Sequence, residues 1–140
     1  MNIITKEIYS TEVTTSGGRS GRARSSDGLL DLALARPGAG HDTNPEQLLA
    51  AGWSACFQSA LNGIAKKEGI DAANSSVTAR VTLGNERDGG YALKAALTVV
   101  IPGVDLKAAE ALTLKAHQMC PYSKAMRGNI EIEVKTVVGQ

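Results

Sequence analysis

Thr43–Glu68, TNPEQLLAAGWSACFQSALNGIAKKE, is the stretch around which the rest of the chain can be arranged. It reads as one long helix. Thr43 or Asn44 can serve as N-cap, Pro45 suits the first turn, and Glu46 stands three residues after Thr43, as a capping box requires. From Leu48 to Ile64 nearly every position is apolar or small, including Ala50, Ala51, Gly52, Trp53, Ala55, Phe57, Ala60 and Leu61. No broad polar face is left for water, so the helix is expected to be buried. Gln47, Ser54, Gln58, Ser59 and Asn62 interrupt the apolar run, and Lys66, Lys67 and Glu68 close it, which argues against a bilayer span. Cys56 sits near its middle.

Upstream, Ile4, Ile8 and Val13 in Thr-rich surroundings suggest a first strand that ends at the Ser16-Gly17-Gly18 turn. Arg22–Ser26 reads as a second strand, Asp27-Gly28 as a hairpin turn, and Leu30, Leu32 and Leu34 as a third strand. A Gly-rich loop from Pro37 to His41 leads into the helix. Downstream, Val77, Ala79, Val81 and Leu83 alternate, Arg87-Asp88-Gly89-Gly90 turns, and Leu93, Ala95, Leu97 and Val99 alternate again, which is a hairpin. Asp105 can cap a second helix carrying Leu106, Ala108, Ala109, Leu112 and Ala116, ending near Cys120-Pro121. Ile130, Ile132 and Val134 against Glu131, Glu133 and Lys135 form a last half-buried strand. The order β-β-β-α-β-β-α-β predicts an α+β fold, a mostly antiparallel sheet around a buried central helix.

With 140 residues, 43% hydrophobic content and no linker or repeat, residues 1–140 suit a single domain. Fifteen basic residues against 14 acidic ones leave a formal charge of +1, so nothing points to a nucleic acid or an acidic membrane face. MNIITKEIYS has neither an apolar signal core nor an Arg-rich amphipathic pattern, and a reducing cytoplasm is the expected location. There, two cysteines 64 positions apart are free thiols or a redox pair rather than a permanent staple.

Position alone gives Cys56 a bland reading as a small buried hydrophobe. It lies about three turns into its helix, beyond the reach of the N-terminal dipole, and burial raises a thiol pKa. A reactive Cys56 therefore needs a cation from elsewhere. Arg19 is the candidate, because Gly17, Gly18 and Gly21 let its backbone approach another element closely. Arg22, Arg24 and Arg127 compete for that role. His117, three residues before Cys120, has a spacing compatible with shared metal ligation or a Cys-His pair, but two candidate ligands make no closed site and no metal is expected. His41 is read as a solvated loop residue. The glycines at 17, 18 and 21 lack the spacing and the strand–helix context of a dinucleotide cradle.

Three long segments carry a resemblance: GGRSGRARSSDG (Gly17–Gly28), TNPEQLLAAGWSACF (Thr43–Phe57) and HQMCPYSKAMRGNIE (His117–Glu131). They resemble the organic hydroperoxide resistance (Ohr) branch of the OsmC/Ohr superfamily over essentially the whole chain. The resemblance implies a thiol-dependent peroxidase that reduces organic, often lipid-derived, hydroperoxides to alcohols as an intertwined homodimer. It implies no bound cofactor and a dithiol reductant such as a lipoylated protein. Carried over by position, the peroxidatic Cys falls on Cys56, the resolving Cys on Cys120, the motif Arg on Arg19 and the motif Glu on Glu46. Ser20, Leu49, Trp53 and Lys124 depart from residues frequent in the family, which bears on pocket shape and not on the reaction. The OsmC branch is the nearer enzymatic alternative, and a non-catalytic redox-sensing dimer is another.

A guanidinium beside Cys56 would lower the thiol pKa and stabilise the departing alkoxide, and Glu46 could hold Arg19 bidentately. Glu46 and Cys56 lie ten residues apart, roughly 15 Å along a continuous helix and about 80° around it. One helix hardly brings both to one guanidinium, so a shared site is expected: Arg19 and Glu46 from one subunit, Cys56 and Cys120 from the other. Disulfide closure would demand Cα atoms within about 7 Å. Trp53, Phe57, Leu48 and Met126 are candidates to line an apolar channel for the substrate, although core packing explains them equally well.

Overall fold

The computed structural model describes residues 1–139. The chain falls into two compact units, Met1–Leu48 and Leu49–Gln140. The first holds strands β1 (Val13–Ser16), β2 (Arg22–Ser25) and β3 (Asp31–Ala33), and the start of helix α1 (Pro45–Glu68). The second holds the rest of α1, then β4 (Ser76–Asn85), β5 (Tyr91–Val100), α2 (Leu106–Met119), α3 (Pro121–Met126) and β6 (Glu131–Val137). The expected α+β class is what the chain adopts, with two separate three-stranded sheets and a third helix that the sequence did not signal.

In the first unit β1, β2 and β3 are antiparallel, with Ser16 opposite Arg22 and Arg24 opposite Asp31. Strand β1 is shorter than expected: the chain around Ile4 and Ile8 has no ladder partner, because regular pairing begins only at Val13. A 3-10 turn, Gly18–Ser20, joins β1 to β2. Gly17 takes φ 82° at its entry, and a Cβ on Gly21 would lie 1.7 Å from the Ser16 carbonyl oxygen, so neither position tolerates a side chain. Between β2 and β3 the turn closes on Asp27, which accepts from Ser25 Oγ at 2.6 Å and from the Leu29 amide at 3.0 Å. Little of this unit is buried. Ile3, Ile4, Ile8, Tyr9, Val13 and Leu29 all point to solvent.

The start of α1 corrects the capping-box expectation by one residue. Asn44 Oδ1 accepts from the Gln47 amide at 2.9 Å, while the Thr43 hydroxyl meets Gln47 Oε1 at 2.8 Å. With Asn44 as cap, Glu46 falls at the second helical position rather than the third, and its carboxylate is free for another partner.

In the second unit α1 buries Trp53, Phe57, Leu61, Ile64 and Ala65, spaced by three or four residues, against Ala95, Leu97 and Val99 of β5 and Ala109, Leu112 and Ala116 of α2. The expected all-round burial of α1 is not met within the chain: Ala51, Ala55, Ser59, Asn62 and Gly63 are exposed. The β4–β5 hairpin runs in register from Ser76 opposite Val100 to Asn85 opposite Tyr91. Strand β6 pairs with β5 in parallel, Lys94 opposite Glu131 through Val100 opposite Val137, where a mostly antiparallel sheet was expected. The intervening α2 and α3 carry the chain back over the sheet, the crossover that a parallel pair requires. Asp105 caps α2 as expected, accepting from the Ala108 amide at 3.3 Å.

Candidate functional site

Cys56 and Cys120 come together in the second unit. Cys56 is on α1, half-buried, and Cys120 lies fully buried at the corner between α2 and α3; both are free thiols. Cys120 caps two helices at once. Its amide donates to the Ala116 carbonyl at 2.8 Å to finish α2, and its carbonyl accepts from the Lys124 amide at 2.9 Å in α3. The sequence put a helix end here, but Pro121 stands at the first position of α3, where a missing amide costs nothing.

Burial pushes the Cys56 thiol above its ordinary pKa, and the neighbouring Cys120 thiol pushes it the same way. The backbone N–H of Tyr122 opposes them by favouring the thiolate. Within one chain, then, burial prevails and disfavours the Cys56 thiolate.

Arg19 and Glu46 meet in the first unit through a bidentate ion pair, Nη1 to Oε2 at 2.8 Å and Nη2 to Oε1 at 2.6 Å. Arg19 is held above its ordinary value chiefly by hydrogen bonding to Glu46, and the same bonds hold Glu46 below the usual carboxylate range. The guanidinium remains open to solvent on its other side, with 41% of the Arg19 side chain exposed against 16% for Glu46. Of the competing arginines, Arg22 is bound to Asp31 at 2.7 Å and Arg127 reaches the His117 carbonyl at 3.4 Å.

Trp53 and Phe57 are fully buried in the core, so neither presents surface to a ligand within the chain. Met126 is partly buried against the same core in the second unit, and Leu48 is half-buried at the end of the first. His117 stands against Phe57 with ring centroids 6.3 Å apart. Its Nδ1 is buried without a hydrogen-bond partner, and burial, followed by the charge of Arg127, holds the ring below the ordinary imidazole pKa. Among the described residues no three His, Cys, Asp or Glu side chains are grouped to hold a metal ion, and no helix is long and apolar enough to cross a membrane. A groove of about 500 Å³ on β4–β6 is lined by Arg80, Thr82, Lys94, Glu131 and Glu133, none of them at the thiols.

Sequence reasoning missed three residues beside the thiols. Trp53 Nε1 donates to Ser123 Oγ at 3.0 Å, a bond between two fully buried side chains. The Tyr122 ring lies on Gly52, where a Cβ would come within 3.2 Å of its Cε2 and hydroxyl oxygen. A helical glycine four residues before a cysteine was a usable signal for a close approach; nothing local marked Ser123.

Residues 38–135 match the family described as OsmC-like protein. The organic hydroperoxide resistance protein of Xanthomonas axonopodis pv. citri is 43% identical over 133 residues, 91% of this chain and 93% of that protein. The chain belongs to the OsmC-like family, in its organic hydroperoxide resistance branch. An organic hydroperoxide resistance protein-like 2 from Staphylococcus epidermidis is likewise 43% identical, over 94% of this chain and 96% of its own. Among solved structures, an organic hydroperoxide resistance protein OsmC from Legionella pneumophila superposes with a TM-score of 0.90 at 43% identity, covering 95% of this chain and 100% of that one. The OsmC-like match takes in Glu46, Cys56 and Cys120 and begins after Arg19.

Proposed function

We propose that this chain is a thiol-dependent peroxidase that reduces alkyl and fatty-acid hydroperoxides to alcohols. The observation that carries the reading is the adjacency of Cys56 on α1 and Cys120 at the corner of α2 and α3, in a chain of the organic hydroperoxide resistance branch. The Cys56 thiolate attacks the distal peroxide oxygen, the O–O bond breaks, and the alkoxide leaves and takes a proton to become the alcohol. Cys56 is then a sulfenic acid. The Cys120 thiol displaces its hydroxyl as water, giving the Cys56–Cys120 disulfide and protecting Cys56 from further oxidation. A dithiol of the lipoyl type takes the disulfide back to two thiols and becomes a disulfide itself.

Arg19 supplies the charge this chemistry needs, lowering the Cys56 pKa and meeting the developing alkoxide, while Glu46 fixes the guanidinium by its fork. The site is shared in a homodimer, Arg19 and Glu46 of one copy serving Cys56 and Cys120 of the other. Two features support a second copy. One is the outward apolar run Ile3, Ile4, Ile8, Tyr9 and Val13. The other is the bare small-residue row Ala51, Ala55, Ser59 and Gly63 on a helix with no polar face. Met126, which packs on the core that holds Trp53 and Phe57, meets the hydroperoxide tail, Leu48 comes to it with Arg19 and Glu46, and the enzyme works in the cytoplasm.

Steady-state turnover of cumene hydroperoxide against hydrogen peroxide, with dihydrolipoamide and a monothiol as rival donors, tests the reading. Repeated turnover of the organic peroxide with the dithiol, abolished by Cys56→Ser, is expected. Oxidation that stops after one equivalent per chain would replace the enzyme by a redox sensor.

A further inference from the structure

Helix α3 has six residues, and its one fully buried side chain is polar, Ser123. Its apolar contacts come from side chains that stay partly open, Tyr122 with its ring on Gly52 of α1 and Met126 against the core. The fully buried link to α1 is the Ser123 hydroxyl, which accepts the Trp53 indole N–H at 3.0 Å, both side chains being 0% exposed. Trp53 stands three residues before Cys56 on α1, and Ser123 three residues after Cys120. The hydrogen bond and the thiol pair thus bridge the same two elements about one turn apart. Cys120 is the cap shared by α2 and α3, so the setting of α3 sets the direction in which its sulfur points.

We propose that the Trp53–Ser123 hydrogen bond is a positioning device that aligns Cys120 with Cys56 for disulfide closure. It thereby decides whether the Cys56 sulfenic acid condenses or is oxidised further. The inference deepens the peroxidase reading and rests on it for the second half of that statement. The two fates balance separately: the sulfenic acid and the Cys120 thiol give disulfide and water, whereas the sulfenic acid and a second hydroperoxide give sulfinic acid and alcohol. A disulfide tolerates only a narrow range of Cβ directions, so a small rotation of α3 shifts the balance towards the second. Losing one partner leaves the other buried and unsatisfied, while removing both is close to neutral for stability.

That asymmetry separates alignment from simple stabilisation. Ser123→Ala, Trp53→Phe, the double variant and Ser123→Thr are equilibrated with graded ratios of reduced and oxidised dithiothreitol, and the fraction of Cys56–Cys120 disulfide is read by mass spectrometry beside the melting temperature. Each single variant is expected to favour the dithiol about tenfold more than the parent, about 30 mV for this two-electron couple. Ser123→Thr, which keeps the hydroxyl, is expected to match the parent. The double variant should recover the melting temperature but not the potential.

A parental potential in folded Ser123→Ala, or recovery of both quantities in the double variant, overturns the proposal. If the single variants do not fold, the potential of the double variant decides. A second arm titrates the same proteins with cumene hydroperoxide, where the single variants should carry several times more Cys56 sulfinic acid. Should the parent itself resist hydroperoxide, the peroxidase reading falls, and the dithiothreitol equilibrium still decides whether the bond aligns the thiols.

Discussion

Gly52→Ala is the change whose effect can be worked most fully from the contacts. In a helix interior, alanine in place of glycine contributes about 1 kcal/mol, a rise of roughly 2–4 °C in melting temperature for a chain of this size. Against that, the new methyl would meet Tyr122 Cε2 and Oη at 3.2 Å and Cζ at 3.4 Å, so the ring must retreat by a few tenths of an ångström. Overpacking of this kind costs about 1–3 kcal/mol, and with 40% of Tyr122 exposed the ring can yield at the lower end of that range. The two terms nearly cancel, and the melting temperature should move by less than about 2 °C. The thiol should respond more clearly. The backbone N–H of Tyr122 pulls the Cys56 pKa down, so where the ring's retreat carries the start of α3 with it, that N–H recedes and the pKa rises further. In a Cys120→Ser background, the pH at half-maximal rate of iodoacetamide alkylation should rise on adding Gly52→Ala. A melting temperature about 3 °C higher with an unchanged alkylation profile would show that the ring does not depend on Gly52 as its seat.

Other outcomes test other parts of the chain. Cys120→Ser should still consume one equivalent of hydroperoxide and then accumulate Cys56 sulfinic acid, visible as a mass increase on the peptide. Arg19→Ala should shift Cys56 alkylation to higher pH; an unchanged profile removes Arg19 from the site. Glu46 is held low by Arg19, so its contribution to stability is complete above the unfolded-chain value near 4.3 and fades as pH falls through the lower folded value. Glu46→Gln should therefore flatten the acid limb of melting temperature against pH. His117, also lowered, contributes fully above about pH 6.5 and loses that contribution below it, and His117→Phe should remove the loss seen between pH 7.5 and about 5. Ser59→Arg, on the bare row of α1, should turn a dimer into monomers in sedimentation equilibrium.

Where one short-range pattern sufficed, the chain could be read directly: the apolar run that makes α1, the alternating hairpin of β4 and β5, the Asp105 cap. Errors arose where two local signals competed or the partner was distant. Thr43 and Asn44 both cap well, and Asn44 prevails, which releases Glu46 to Arg19. Pro121 stops α2 and starts α3 equally well, and only the fold shows that it does both. The parallel direction of β6 is invisible in its alternation, which is the same for either orientation. The Trp53–Ser123 bond spans 70 residues and depends on how two helices meet. Trp53 and Phe57 were legible as large apolar residues near Cys56, but periodicity could not say whether they face a substrate or the core.

The parallel pairing of β5 with β6 also sets a timetable for folding. Lys94 finds Glu131 only after the whole of α2 and α3 has been made, a loop of more than 30 residues that must precede the residues of β6. Until those residues leave the ribosome, one flank of β5 has no strand beside it, though the β4–β5 hairpin can already zip. Non-local closure of this sort is the slow kind, and a strand waiting with open backbone groups is a place for stray chains to add. A stop codon anywhere before Glu131 would leave that flank open for good.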